Sequence, residues 1–454
     1  MKKEKRILEI LDNKNVDFKK EIIAGVTTFL TMAYIIAVNP NILSQTGMDA
    51  GALVTATCLS AAFATILMGV FANLPFALAS GMGLNAYFAF SVVIGKGISW
   101  EIALTAVFVE GIIFILMSLC NIRQAVVKAI PLNMKFAVTA GIGLFIAFIG
   151  FTGSKIVVSS PDTFLAIGDF TKPSAVIAAI GVLIIAVLDK KGVRGAILFG
   201  ILASTLVAWG YAMYDPEYAA ALGIYLPNGI IKFESIAPIA GKIDLAYVFH
   251  PSNIWTFITI VFTFLFVDFF DTIGTLVGVS SKAGMLDEEG NIPNVGKALM
   301  CDAVGTTAGA FMGVSTVTTF VESSTGVAAG GRTGWTSITT GILFLVAMFF
   351  SPIFVAIPAC ATAPALIYVG YLMLGAVKNI NFDEITEGFP AFITIAAMPL
   401  TYSIGDGLTL GVLSYVIINV IYNLFFRKSN EEKKPVSIVM LVLAVIFMFK
   451  LLVL

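Results

Sequence analysis

The sequence predicts an all-α polytopic membrane protein of 14 transmembrane segments, built as two inverted seven-span repeats. Three observations predict it. Of the 454 residues, 58% are hydrophobic and only 12% are charged, and mean hydropathy is +0.97; a soluble domain carries roughly 25% charged residues. Membrane-length apolar segments fall in two groups of seven, on either side of a polar stretch. The eighth segment contains ITIVFTFLFVDFFDTIGT, Ile258 to Thr275, an apolar run with two acids inside it.

Taken in order, the leader 1–21 is charged and has no small-residue cleavage site. The first repeat, 22–213, holds apolar segments at about 22–42, 51–73, 76–95, 101–120, 136–152, 173–189 and 195–213. An extracytoplasmic loop, 214–253, contains Pro216, Pro227, Pro238 and Pro251. The second repeat, 254–427, holds segments at about 254–280, 298–313, 316–331, 334–357, 361–377, 388–404 and 406–426. A cytoplasmic linker and a last apolar run, interrupted by Lys450, complete 428–454; that run reads either as a fifteenth span or as an interfacial helix.

With the N-terminus inside, the inner loops collect about 21 Lys and Arg, among them Arg123, Lys128, Lys135, Lys190, Lys191, Arg194 and Arg427, and the outer loops about five. The bias supports both span count and direction. Seven spans per half is an odd number, so the second half inserts upside down relative to the first.

In inverted-repeat transporters, short Gly-interrupted segments at matching positions point to the binding site. The third segment, PFALASGMGLNAYFAFSVV, breaks at Gly81 and Gly83 before Asn85. The tenth, STVTTFVESSTGVAAGG, joins a β-branched run, Thr316–Val321, to Glu322 and Ser323, with Ser323 or Ser324 a good helix N-cap. Exposed backbone survives at membrane depth only when buried in protein or lining a cavity. Short half-strands from the two segments are therefore expected to pair, leaving two helix starts facing a shared cavity.

In the eighth segment Asp268, Asp271, Thr272 and Thr275 fall at i, i+3, i+4 and i+7, one polar stripe on an apolar cylinder. Each acid costs about 2.5–3.5 kcal/mol at a helix centre, and such residues mark substrate or ion paths. No basic residue lies near the centre of any span, since Lys135, Lys297 and Arg332 sit at segment ends. Two carboxylates one turn apart do not both ionise readily in low dielectric, which suits one of them to carry a coupled proton. Glu322 and Asn85 are the further candidates for ligand contact, with Gly83 and Ser323 at the breaks. Glu110, buried by its VFVEGII context, divides evenly between structure and function; Asp302 is expected at an interface. Tyr87, Phe88 and Phe90 could stack on a flat ring. Thr27, Thr28, Thr31 and Tyr34 form a modest polar face in the first span.

Other function classes are short of their residues. Net charge is −1, so nucleic acid is not a partner. Cys58, Cys120, Cys301 and Cys360 form no CxxC, and His250 is the single histidine, which leaves no metal site. HExxH and GxxxxGK[ST] are absent, and Leu78-Ala79-Ser80-Gly81 and Ser403-Ile404-Gly405-Asp406 each miss the protease motif they approach. The chain is expected not to be an enzyme. An anion exchanger or channel of the same fold class is the alternative reading, and three acids argue against it.

GMGLNAYFAF at Gly81–Phe90, DFFDT at Asp268–Thr272 and TTFVESSTGVAAGGRTG at Thr318–Gly334 together resemble the azaguanine-type (AzgA-like) purine permeases of the nucleobase:cation symporter superfamily. The resemblance runs from the first span to the fourteenth. It implies a multi-pass importer of purine nucleobases (hypoxanthine, guanine or adenine) in the bacterial cytoplasmic membrane, working by proton symport and alternating access. The resemblance implies a core domain and a gate domain, no cofactor beyond the coupling proton, lipid neighbours and a homodimer. It implies that Asp268 and Glu322 hold the purine, that Asn85 lines the same site, and that Asp271 tunes binding or carries the proton. Several relatives place an ionisable residue four positions after the substrate carboxylate. Here that position is Thr272, so Asp268 and Asp271 both remain candidates for the proton.

Overall fold

A computed structural model describes residues 17–120, 130–245, 254–282, 294–426 and 436–453. Arg123, Lys128, His250 and Arg427, and most of the leader, lie outside the described residues.

The first span is two helices, α1 (Phe18–Met32) and α2 (Ile35–Leu43), broken at Ala33 and Tyr34. Helix therefore begins within the stretch read as leader, where Asp17 caps it by accepting from the Lys20 N–H. Span two is α3 (Ala50–Leu67), capped by Asp49. Span three is β1 (Leu78–Ser80) followed by α4 (Met82–Ala86), whose helix runs on to Ile94 in wider π turns. Next come α5 (Trp100–Leu119), α6 (Leu132–Gly153), the exposed hairpin β2 (Val157–Ser160) and β3 (Phe164–Ile167), α7 (Pro173–Lys190) and α8 (Ala196–Tyr214). After the short α9 (Pro216–Ala221) the second half repeats the plan. It has α10 (Ile254–Lys282), α11 (Val295–Met312), β4 (Val317–Thr319) with α12 (Ser323–Ala328), α13 (Gly334–Ala347), the short α14 (Ser351–Val355), α15 (Ala359–Leu374), α16 (Ile385–Leu400) and α17 (Ile404–Ile421). These are the fourteen expected spans.

The two breaks meet. β1 and β4 pair antiparallel, with Leu78 opposite Thr319, Ala79 opposite Thr318 and Ser80 opposite Val317. Spans inserted in opposite senses require that direction. The ladder is wholly buried and satisfies main-chain groups that the apolar surroundings could not. Ser323 does not cap α12. It is the first helical residue, and its hydroxyl instead accepts the Ala77 N–H at 2.9 Å, tying the two breaks together once more.

The halves interleave into two bundles. In one, α13 packs on α1 and α3, α11 on α5 and α3, and α10 on α5. In the other, α6 packs on α15 and α16, α7 on α8 and α15, and α16 on α17. Spans one to four and eight to eleven are thus the core, and the remaining six the gate. Apolar side chains such as Leu183, Val187, Leu206 and Val207 are exposed on α7 and α8, a surface for lipid. The loop after α8 lies across the core: Lys232 N bonds Phe349 O, Gly241 N bonds Phe311 O and Asp244 N bonds Thr105 Oγ1.

The last apolar run forms α18 (Ile438–Val453), packed on α17. Its Met440, Leu443, Ala444 and Phe447 make one buried stripe. Phe447 meets Phe262 and Phe266 of α10, and Phe449 meets Trp255. Moving up α18 therefore moves down the numbering of α10, so the two helices run antiparallel.

Candidate substrate cavity

A cavity of about 320 Å³ lies between the bundles. The core contributes Tyr34, Gly81, Gly83, Asp271, Thr319 and Glu322, among others. The gate contributes a mainly apolar wall from α6 and α15, including Phe136, Ile142 and Met373, with Asn379 exposed just past α15. Three rings line it, Tyr34, Phe136 and Phe320. No Lys or Arg does, among the described residues. Toward the other end of α6 the bundles are closed by Tyr402, held at φ 55° among the rings of Phe90, Phe145 and Phe148. Ser91 of the core donates to the Tyr402 carbonyl at 3.1 Å.

Glycine is what lets the walls meet. A Cβ on Gly83 would stand 2.6 Å from Ile142 Cγ2, so any other residue there would force that side chain to shift or α6 to give way. Gly81 presses on Thr318 and stands beside Asp271 in the same way.

The sequence candidates divide between the cavity and the layer behind it. Asp271, Glu322 and Gly83 line the cavity. Asp268 is fully buried behind it, with Oδ1 accepting from the Thr272 hydroxyl at 3.0 Å. That hydroxyl also lies 3.0 Å from Asp302 Oδ1 and 2.9 Å from Thr318 Oγ1, and Thr318 reaches Asp271. Asp302 is therefore not interfacial: it is fully buried and joins spans eight, nine and ten. Asn85 is fully buried too, its Oδ1 accepting from Ser80 at 2.7 Å and from Ser315, so that it braces the crossing of the half-strands. Ser323 is spent on Ala77. Glu110 accepts from Thr316 Oγ1 at 2.9 Å and anchors the chain leading into β4. Tyr87 and Phe88 pack on Phe264 rather than facing the cavity, and Phe90 packs on Tyr402.

Some site residues had no sequence signal of their own. The Tyr34 hydroxyl donates to Glu322 Oε1 at 2.6 Å, across 288 residues of sequence. Its place in a polar face of span one was visible, its partner was not. Thr31 likewise meets Thr325 at 2.9 Å, whereas Thr27 bonds back to its own helix at Ile23. Phe136 read as an ordinary span residue and Asn379 as a loop residue, while Thr319 and Phe320 stood out only as part of the expected half-strand.

Two broken spans that meet at an acid-lined cavity between interleaved bundles define a membrane transporter of the inverted-repeat class. The chain belongs to the Permease family (Xan_ur_permease), which it matches over residues 19–410. It is 39% identical to adenine permease AdeP of Escherichia coli, covering 95% of this chain and 92% of that protein. It is 40% identical to guanine/hypoxanthine permease PbuO of Bacillus subtilis, covering 97% and 99%. Its fold is similar to the transmembrane domain of the cyanobacterial bicarbonate transporter BicA, with a TM-score of 0.65 at 15% identity, over 88% of this chain and 98% of that one. The chain is thus a multi-pass membrane permease and not an enzyme.

Proposed function

We propose that the protein imports purine nucleobases by proton symport, alternating access between its two faces, with its N-terminus in the cytoplasm. The observation that carries this is the presence of Asp271 and Glu322 on one wall of a cavity that no basic side chain lines among the described residues. A purine is flat, uncharged and edged with N–H donors, which carboxylates accept, while apolar walls and aromatic rings hold its faces. An inorganic anion would find two acids where it needs donors. The names of AdeP and PbuO support the purine class. Glu322 and Asp271, with Gly83, are the direct contacts in this reading. Asp268, Asn85 and Ser323 position them from behind, and Asp271 or Asp268 takes the coupled proton, shared through Thr272 and Thr318. A homodimer joined through the gate belongs to the same proposal.

Competition uptake in cells lacking purine transport is the test. Labelled hypoxanthine is expected to enter, to be displaced by guanine or adenine but not by uracil, and to stop when a protonophore is added. Entry of no purine would sink the reading, and uptake indifferent to the protonophore would remove the proton from it.

Tyr34→Phe isolates one bond of the site. It removes the hydroxyl that fixes Glu322 while leaving the ring. A hydrogen bond to a charged group is worth about 1.5–3 kcal/mol, so the half-saturating purine concentration is expected to rise about 10–100-fold. An unchanged value would show that Glu322 does not need Tyr34.

A further inference from the structure

The cavity is rich in side-chain acceptors and short of free side-chain donors. Glu322 and Asp271 only accept when ionised, and Asp271 donates only while it holds the coupled proton. Of the hydroxyls, that of Tyr34 is given to Glu322, Thr318 is engaged with Thr272 and Asp271, and Thr139 bonds back to Lys135 O at 3.1 Å. Asn379 stands exposed at the mouth and Thr275 lies one turn beyond Asp271. The Thr319 hydroxyl differs from all of these. The residue is only 2% exposed, lines the cavity, and its Oγ1 has no hydrogen-bond partner among the described residues.

Its surroundings hold it there. Thr319 sits opposite Leu78 in the β1–β4 ladder, so the backbone around it is fixed. A β-branched side chain on a strand is also stiff at χ1. Glu322 follows three residues later, on the same wall. A buried hydroxyl left unsatisfied is costly, and a ligand pressed against Thr319 in the cavity would complete it.

We propose that Thr319 is a substrate-binding residue, whose hydroxyl donates to a ring nitrogen of the nucleobase while Glu322 and Asp271 accept from its N–H groups. This deepens the purine reading and rests on it. Carboxylates alone match only half of a purine edge. The hydroxyl supplies the donor that a ring nitrogen requires, and it selects for a ligand with an acceptor beside its N–H groups.

The test uses the full chain purified in detergent, with adenine, hypoxanthine and guanine titrated by calorimetry into wild type, Thr319→Val and Thr319→Ser. The ligand-free melting temperature of each is measured alongside. Thr319→Val is expected to lose at least about tenfold in affinity, and Thr319→Ser to stay within about threefold of wild type. Ligand-free Thr319→Val is expected to melt no lower than wild type, because it removes an unsatisfied buried group rather than a bond. Affinity of Thr319→Val equal to that of a purine-binding wild type overturns this assignment and leaves the purine reading standing. A Thr319→Val that melts lower, with Thr319→Ser equally weakened in binding, also overturns it, since the hydroxyl would then be structural. Absence of purine binding by wild type overturns the purine reading and this assignment with it.

Discussion

Glu322→Gln is expected to abolish purine uptake while the protein still reaches the membrane in normal amount. Tyr34 donates into Glu322 Oε1 at 2.6 Å, so a Gln in its place must turn its carbonyl oxygen toward Tyr34. Its NH2 then points where the second carboxylate oxygen had pointed. A nucleobase N–H that met an acceptor now meets a donor. Loss of a charged hydrogen bond and the clash of two donors together cost about 3 kcal/mol or more, over 100-fold in affinity. Uptake per molecule at the surface decides the matter, and wild-type transport by Glu322→Gln would take the residue out of the site.

The second large effect is far from the ligand. Gly334 opens α13, and a Cβ there would lie 2.0 Å from Gly69 O, a backbone atom that cannot step aside alone. The Gly334 N–H donates to Asn73 at 2.8 Å, and the Glu21 carboxylate receives Arg332 N, Thr333 N and the Thr336 hydroxyl around the same helix start. One turn on, Ser337 donates to Leu74 O at 2.7 Å and to Phe76 O at 2.8 Å, the stretch that leads into β1. Gly334→Val therefore forces α13 off α3 and drags the half-strand with it. Overpacking costs roughly 1–3 kcal/mol where neighbours can move, and here they are backbone. The expected result is a monodisperse yield several-fold below wild type and a clearly lowered melting temperature. Normal yield and melting would contradict so close an approach.

Much of this was legible in the residues. The odd number of spans per half, the matched breaks at Gly81–Gly83 and Glu322, and the stripe Asp268–Thr275 all follow from periodicity and composition, and the fold has them. What periodicity lacks is the rotation of a helix about its own axis. Asp268 and Asp271 lie only some 60° apart around α10. A stripe locates both, and packing alone decides that Asp271 meets the cavity while Asp268 turns to Thr272. Pairings across the chain were illegible for a different reason. Tyr34 with Glu322, Asp302 with Thr272, and Ser315 with Asn85 each join segments that nothing local links. The gate wall hid because Phe136 and Met373 look like any lipid-facing side chain until α6 and α15 fold over the core.

The β1–β4 ladder also sets a timetable for biogenesis. Ser80 and Ser315, which face each other across the crossing, are 235 positions apart. At translation rates of roughly 5–20 residues per second, the first half-strand waits some 10–50 s for its partner to be made. Bare main chain cannot wait in hydrocarbon. Span three must therefore be sheltered in that interval, by the insertion machinery or by lingering near the aqueous boundary, and the first seven spans are not a finished object when they leave the ribosome. The element that forms one wall of the cavity in the mature permease thus waits for the second half of the chain before it gains its structure.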